Sequence, residues 1–160
     1  VEITEEYYQE LLAGQSAGLI IVESKNCYPI LVEYKYDIEE VRKMKISEIQ
    51  IFDKSTDVNS FEIEGESMWL DKSTRVGLFN SISIEKNAGK SDTVLWYDAI
   101  KYIIPISDAL SMLNEIEMYA LNCYNVTQSH IAAVKSLQTI EEIENYDYTI
   151  GYPAKLSFPG

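Results

Sequence analysis

Two short stretches of this chain alternate apolar and polar residues across a tight turn, and that pairing demands a sheet. Phe61-Glu62-Ile63-Glu64 and Ser67-Met68-Trp69-Leu70 flank Gly65, while residues 93–97 and 102–104 flank Asp98-Ala99. A period of two predicts strands, and a short break between two such runs predicts a hairpin. Helical patterns surround them. Asp71 predicts a cap for a helix through Val76, Leu78, Phe79 and Ile82, ending near Ala88-Gly89. Gly77 inside it predicts a close-packed neighbour. Pro105 ends the strand, and Ser107 or Asp108 opens a long helix with Leu110, Leu113, Ile116, Ala120 and Tyr124 on one stripe. A break is expected near Asn125-Val126, before a helix through Ile131, Val134 and Leu137. Thr139 with Glu142 is a capping box for a short last helix, and the tail 148–158, with Gly151 and Pro153, is expected to be extended. The class is α+β: both hairpins in one antiparallel sheet packed on helices at 73–88 and 107–137, with Trp69 and Trp96 mostly buried.

The opening residues form a smaller unit. Thr4 with Glu5 and Glu6 caps a helix through Tyr7, Tyr8, Leu11 and Leu12, which Gly14 is expected to stop. The runs Leu19-Ile20-Ile21-Val22 and 28–33 predict a hairpin, with Pro29 holding its strand at an edge. One helix and one hairpin bury too little to stand alone, so residues 1–36 are expected to act as a contact module. Residues 37–57 carry a mixed-charge connecting helix and 58–160 the main domain.

Charge excludes some partners. Twenty-six acidic and 13 basic residues give a net charge of −13, which repels a phosphate backbone, so no nucleic acid is expected. No apolar run approaches the ~20 residues that span a bilayer, so no membrane insertion is expected. Cys27 and Cys123 are expected to be reduced. His130, the single histidine, is expected at a surface or boundary; without a second imidazole or ligand-spaced cysteines it predicts neither a metal nor any other cofactor. No Gly-x-Ser-x-Gly elbow, Walker loop or Rossmann fingerprint occurs, and Cys123 with His130 lacks an orienting third group. The acids Glu141, Glu142, Glu144 and Asp147 fit a solvated helix face; a calcium loop would need a central glycine. No catalytic residue is therefore assigned. Twelve tyrosines and two tryptophans instead favour contact surfaces, and Tyr7, Tyr8, Leu11, Leu12, Tyr34, Tyr36, Tyr146 and Tyr148 are the candidate interface.

Val58-Asn59-Ser60-Phe61, Met68-Trp69-Leu70-Asp71-Lys72, Arg75-Val76-Gly77-Leu78, Leu95-Trp96-Tyr97, Ala120-Leu121-Asn122-Cys123-Tyr124 and the ending Tyr146-Asp147-Tyr148-Thr149-Ile150-Gly151-Tyr152-Pro153-Ala154-Lys155-Leu156 form a recurring order of words. On these words the chain, over about Lys45 to Phe158, resembles a domain-of-unknown-function family found in phages and prophages of gut bacteria, often near tail-fibre genes. The opening, Ile3-Thr4-Glu5-Glu6-Tyr7-Tyr8 through Gly18, with Tyr28-Pro29-Ile30-Leu31, resembles the start of phage tail-fibre and fibre-assembly proteins; Cys27 stands where a glycine would be expected in that turn. The resemblance implies a non-enzymatic fibre component or assembly factor, in the virion tail or in the host cytoplasm during assembly. Its partners would be other tail or fibre proteins, or a second copy in a homo-oligomer. The alternative is a carbohydrate-binding module whose aromatics stack on surface glycans; an enzyme acting on polysaccharide would need paired carboxylates.

Overall fold

The computed structural model describes residues 1–63 and 65–159 and divides into two units, Val1–Val41 and Arg42–Gly160. Glu64, the end of an expected strand, lies outside the described residues. The fold is α+β throughout.

In the first unit, helix α1 (Glu5–Ser16) precedes the antiparallel strands β1 (Leu19–Glu23) and β2 (Pro29–Glu33), paired from Leu19↔Glu33 to Glu23↔Pro29. Thr4 Oγ1 accepts the Tyr7 N–H at 3.2 Å and so satisfies one orphan donor of the first turn. The helix passes Gly14 and ends two residues later. Gly14 serves closeness instead, since a Cβ there would collide with the Leu31 side chain. Gly18, at φ +92°, supplies the left-handed residue after the helix. The Tyr7 hydroxyl donates to the Pro29 carbonyl at 2.7 Å, and its ring lies 5.3 Å from that of Tyr28. Cys27 has φ +58°, the conformation for which glycine is suited. Helix α2 (Ile38–Asp53) starts on a reciprocal cap, with Asp37 Oδ1 accepting the Glu40 N–H and Glu40 Oε2 accepting the Asp37 N–H. The division between the units falls inside α2, after Val41.

The second unit adds strands β3 (Phe61–Ile63) and β4 (Glu66–Met68), helix α3 (Lys72–Asn87), strands β5 (Asp92–Tyr97) and β6 (Ile100–Pro105), helices α4 (Ile106–Ser136) and α5 (Ile140–Glu144), and strand β7 (Ser157–Phe158). The two hairpins do not share a sheet. β3 pairs antiparallel with β4, but its other edge is occupied by the tail: β7 runs parallel to it, with Ile63↔Phe158 in register. That leaves β5–β6 as a two-stranded ribbon. Alone such a ribbon is marginal. Leu95 and Ile104 anchor it on Ile82, Ile106, Ala109 and Leu113, and Thr93 Oγ1 donates to Glu85 Oε2 of α3 at 2.6 Å.

Helix α4 is continuous for 31 residues, so the break expected at Asn125-Val126 is absent. Asparagine and valine cost a helix only tenths of a kcal/mol each. The buried series Tyr119, Cys123, Thr127, His130 and Val134 keeps its three- and four-residue spacing straight through the site, and packing prevails. Two cations of α2 terminate the later helices. An Arg42 guanidinium nitrogen donates to the Leu137 carbonyl at 2.7 Å, and Lys45 Nζ to the Glu144 carbonyl at 3.0 Å. Each answers a carbonyl that a helix end leaves unpaired. Thr139 and Glu142 form the expected capping box. At Gly77 a Cβ would meet nothing within 4 Å, so the close neighbour expected there is absent among the described residues.

The β5–β6 turn places Asp98 at φ +45° and Ala99 at φ +63°. Two positive φ values make a type I′ connection, for which Asp-Gly is a favoured pair. Ala99→Gly should therefore raise stability by up to ~1 kcal/mol, as relief of left-handed strain exceeds the entropy that glycine loses. Urea unfolding of both proteins measures it, and a destabilised variant would show the turn to be otherwise.

Candidate functional site

Directly paired residues of an antiparallel ladder share a face. On β5–β6 the pairs Val94↔Ile103 and Trp96↔Lys101 therefore project together, opposite to Leu95↔Tyr102 and Thr93↔Ile104. The second set meets the helices. The first faces outward: Val94 is 47% exposed, Trp96 65% and Ile103 65%. Three large apolar side chains thus stand on one face of a ribbon whose two strands have no further sheet neighbour among the described residues. Trp96 was expected in the core and is on the surface. Trp69 is half-buried, packed by Phe61 and Tyr119 with the Arg75 guanidinium 5.3 Å from its ring centroid.

Beneath the inward face lies an apolar cavity of about 300 Å³. Its walls come from α3 (Leu78), from α4 (Met112, Ile116), from β3 (Ile63) and from the ribbon, chiefly Tyr97 and Tyr102 of the inward face, with Val94 and Trp96 also touching it. A neighbouring depression shares Tyr102 and Met112 and is bordered by Asp108 and Glu115.

The expected interface residues separate into two groups. Tyr8, Leu12, Tyr34 and Tyr36 of the first unit are exposed. Tyr34 and Tyr36 meet edge to face at 4.7 Å, and the Tyr34 hydroxyl donates to Glu40 Oε1 at 2.7 Å. The others are structural. Leu11 is 3% exposed, Tyr7 is tied to Pro29, Tyr146 bonds His130, and Tyr148 packs on Phe52 beneath Lys45. Helix periodicity claims Leu11 for the interior, while Tyr7, Tyr146 and Tyr148 are half-buried.

His130 is not at the surface. It is 9% exposed, with Nε2 2.9 Å from the Ile150 carbonyl oxygen and Nδ1 2.8 Å from the Tyr146 hydroxyl. Both nitrogens are engaged, so the ring has no lone pair to offer Cys123 as a base. One turn before His130, Thr127 Oγ1 donates to Asp53 Oδ1 at 2.7 Å and meets the Tyr152 hydroxyl at 2.9 Å. Burial pushes the Cys123 thiol and the Tyr119, Tyr146 and Tyr152 hydroxyls up from their ordinary values. A thiol held protonated is a small apolar filler rather than a nucleophile. The row of polar groups along α4 thus fastens the tail to the helix. Among the described residues, no three His, Cys, Asp or Glu side chains stand together as a metal cage would require.

Comparison with protein-family models, with curated proteins and with solved structures found no match.

Proposed function

We propose that the chain is a phage tail-associated protein, a fibre component or fibre-assembly factor, that works through protein–protein contact without catalysis. The observation that carries this is the outward face of β5–β6, where Val94, Trp96 and Ile103 are exposed side by side. Apolar side chains clustered about an exposed tryptophan favour a protein partner, because tryptophan anchors supply much of the binding energy at interfaces. The resemblance of about residues 45–158 to tail-associated proteins supplies the partner class, another tail or fibre protein in the virion or in the host cytoplasm during assembly. A glycan would also stack on Trp96. Beside that ring, however, stand Val94 and Ile103, with Lys101 as the polar side chain opposite, whereas sugar hydroxyls call for several hydrogen-bonding groups.

A photoreactive phenylalanine analogue in place of Trp96, in cells producing the phage, should crosslink to an identifiable tail or fibre protein. Trp96→Ser and Ile103→Ser should abolish capture of that protein while moving stability by no more than ~0.5 kcal/mol, as for other surface substitutions. Binding on a glycan array that Trp96→Ser removes, with no protein crosslink, would replace this reading with the carbohydrate one.

A further inference from the structure

The cavity under the ribbon has a size and chemistry that the outward face does not explain. It occupies about 300 Å³ and is walled chiefly by aliphatic, methionine and aromatic side chains. That volume lies at the lower end of small-molecule sites, roughly 300–1,000 Å³. A dry cavity of about 150 Å³ accommodates benzene, so twice that volume suits about twelve non-hydrogen atoms. The polar groups at the wall are few. Tyr97 and Tyr102 both line it, and neither hydroxyl has a hydrogen-bond partner among the described residues. A phenol offers one donor and accepts as well, so the pair can hold a hydroxyl or a carbonyl. Charge narrows the class further. The adjoining depression carries Asp108 and Glu115, and the chain has a net charge of −13. An anionic head group would be repelled there.

We propose that this cavity binds a neutral, mostly hydrocarbon molecule of ~12 non-hydrogen atoms bearing one hydrogen-bonding group. Its body lies against Leu78, Met112 and Ile116, and its polar group meets Tyr97 or Tyr102. The ribbon is tied to the helices through Thr93, Leu95 and Ile104, and nearer its turn Tyr97 and Tyr102 pack on the cluster of Phe61, Met68, Ile116 and Phe158. Val94 and Trp96 of the outward face also border the cavity, but Ile103 does not, so guest and partner are told apart at Ile103.

2-Naphthol, neutral and of this size, is the probe, and 2-naphthoate is its anionic counterpart. Titration of the full chain by calorimetry should give saturable one-to-one binding of 2-naphthol, with a dissociation constant on the order of 1–100 μM for so small a ligand. Naphthoate should bind at least about tenfold more weakly, from charge repulsion. Methyl-resolved NMR of the unaltered protein should place the probe beside Leu78, Met112 and Ile116. Leu78→Phe, which fills the space, should abolish binding. Ile103→Ser should leave the 2-naphthol affinity within about twofold, because Ile103 does not line the cavity, even though it removes the partner crosslink. Absence of saturable binding up to the solubility limit, NMR shifts confined to the outward face, or equal affinity for naphthoate would each overturn the assignment. The NMR mapping decides the matter even if Leu78→Phe fails to fold.

Discussion

Phe61→Ala should destabilise the second unit by about 3–5 kcal/mol, the range for deleting a fully buried aromatic ring. Phe61 is 1% exposed and joins parts of the chain that are distant in sequence. Its ring lies 5.9 Å from Phe158 at an edge-to-face 80°, and 6.4 Å from Trp69, while Met68 and Ile116 complete the cluster. Edge-to-face aromatic pairs add some tenths to ~1.5 kcal/mol beyond burial. The loss therefore includes both the cavity and the contact that holds β7 on β3. Phe61→Leu, which keeps much of the volume, should cost less than ~1.5 kcal/mol if the site repacks. Urea unfolding of the full chain, followed by circular dichroism and by hydrogen exchange at Ser157 and Phe158, measures both. A Phe61→Ala cost below ~1 kcal/mol would mean that the β3–β7 pairing does not depend on this cluster.

Local features were legible in the sequence wherever a single side chain decides the outcome. Thr4, Asp71 and Thr139 each announce a helix start, and in each the side-chain oxygen accepts the expected backbone N–H. The hairpin across Asp98-Ala99 was likewise legible, from its alternation. What escaped is set by competition between distant residues. Both faces of β5–β6 are apolar: Leu95 and Tyr97 alternate with Val94 and Trp96, so composition does not fix which set turns inward. The structure buries Thr93 and half-buries Leu95 and Tyr97, which leaves Trp96 outside and creates the candidate surface. The merging of the hairpins into one sheet failed for a similar reason. Nothing local in Ser157-Phe158 marks it as a parallel partner for β3, yet its pairing occupies the edge a second hairpin would need. At α4, weak local signals at Asn125 and Val126 yielded to a buried stripe that continues on both sides. Among the expected interface residues, Leu11 is buried, and the hydroxyls of Tyr7 and Tyr146 are engaged within the chain, which no local pattern announces.

His130 offers the sharpest test of how the tail is held. A carbonyl oxygen can only accept, so the contact at Ile150 requires the proton on Nε2. In the neutral ring Nδ1 then accepts, and the Tyr146 hydroxyl must be its donor. His130→Leu keeps apolar bulk but leaves the Ile150 carbonyl and the Tyr146 hydroxyl without their partner. Ile150 is largely exposed and Tyr146 half-buried, so water takes up part of the lost bonding and a total of ~1–3 kcal/mol is expected. Tyr146→Phe removes only one hydrogen bond and should cost ~0.5–1.5 kcal/mol. Combining the two should cost less than their sum, by at least ~0.5 kcal/mol, because the hydroxyl stranded by the first change is removed by the second. Hydrogen exchange should quicken along 146–158 in His130→Leu, since the segment that leads to β7 has lost its anchor on α4. Nitrogen-15 NMR of the ring reads the tautomer directly. A proton found on Nδ1 in the neutral ring, or strictly additive double-mutant energies, would mean that the tail is held by packing of Tyr152 and Leu156 rather than by this hydrogen-bonded pair.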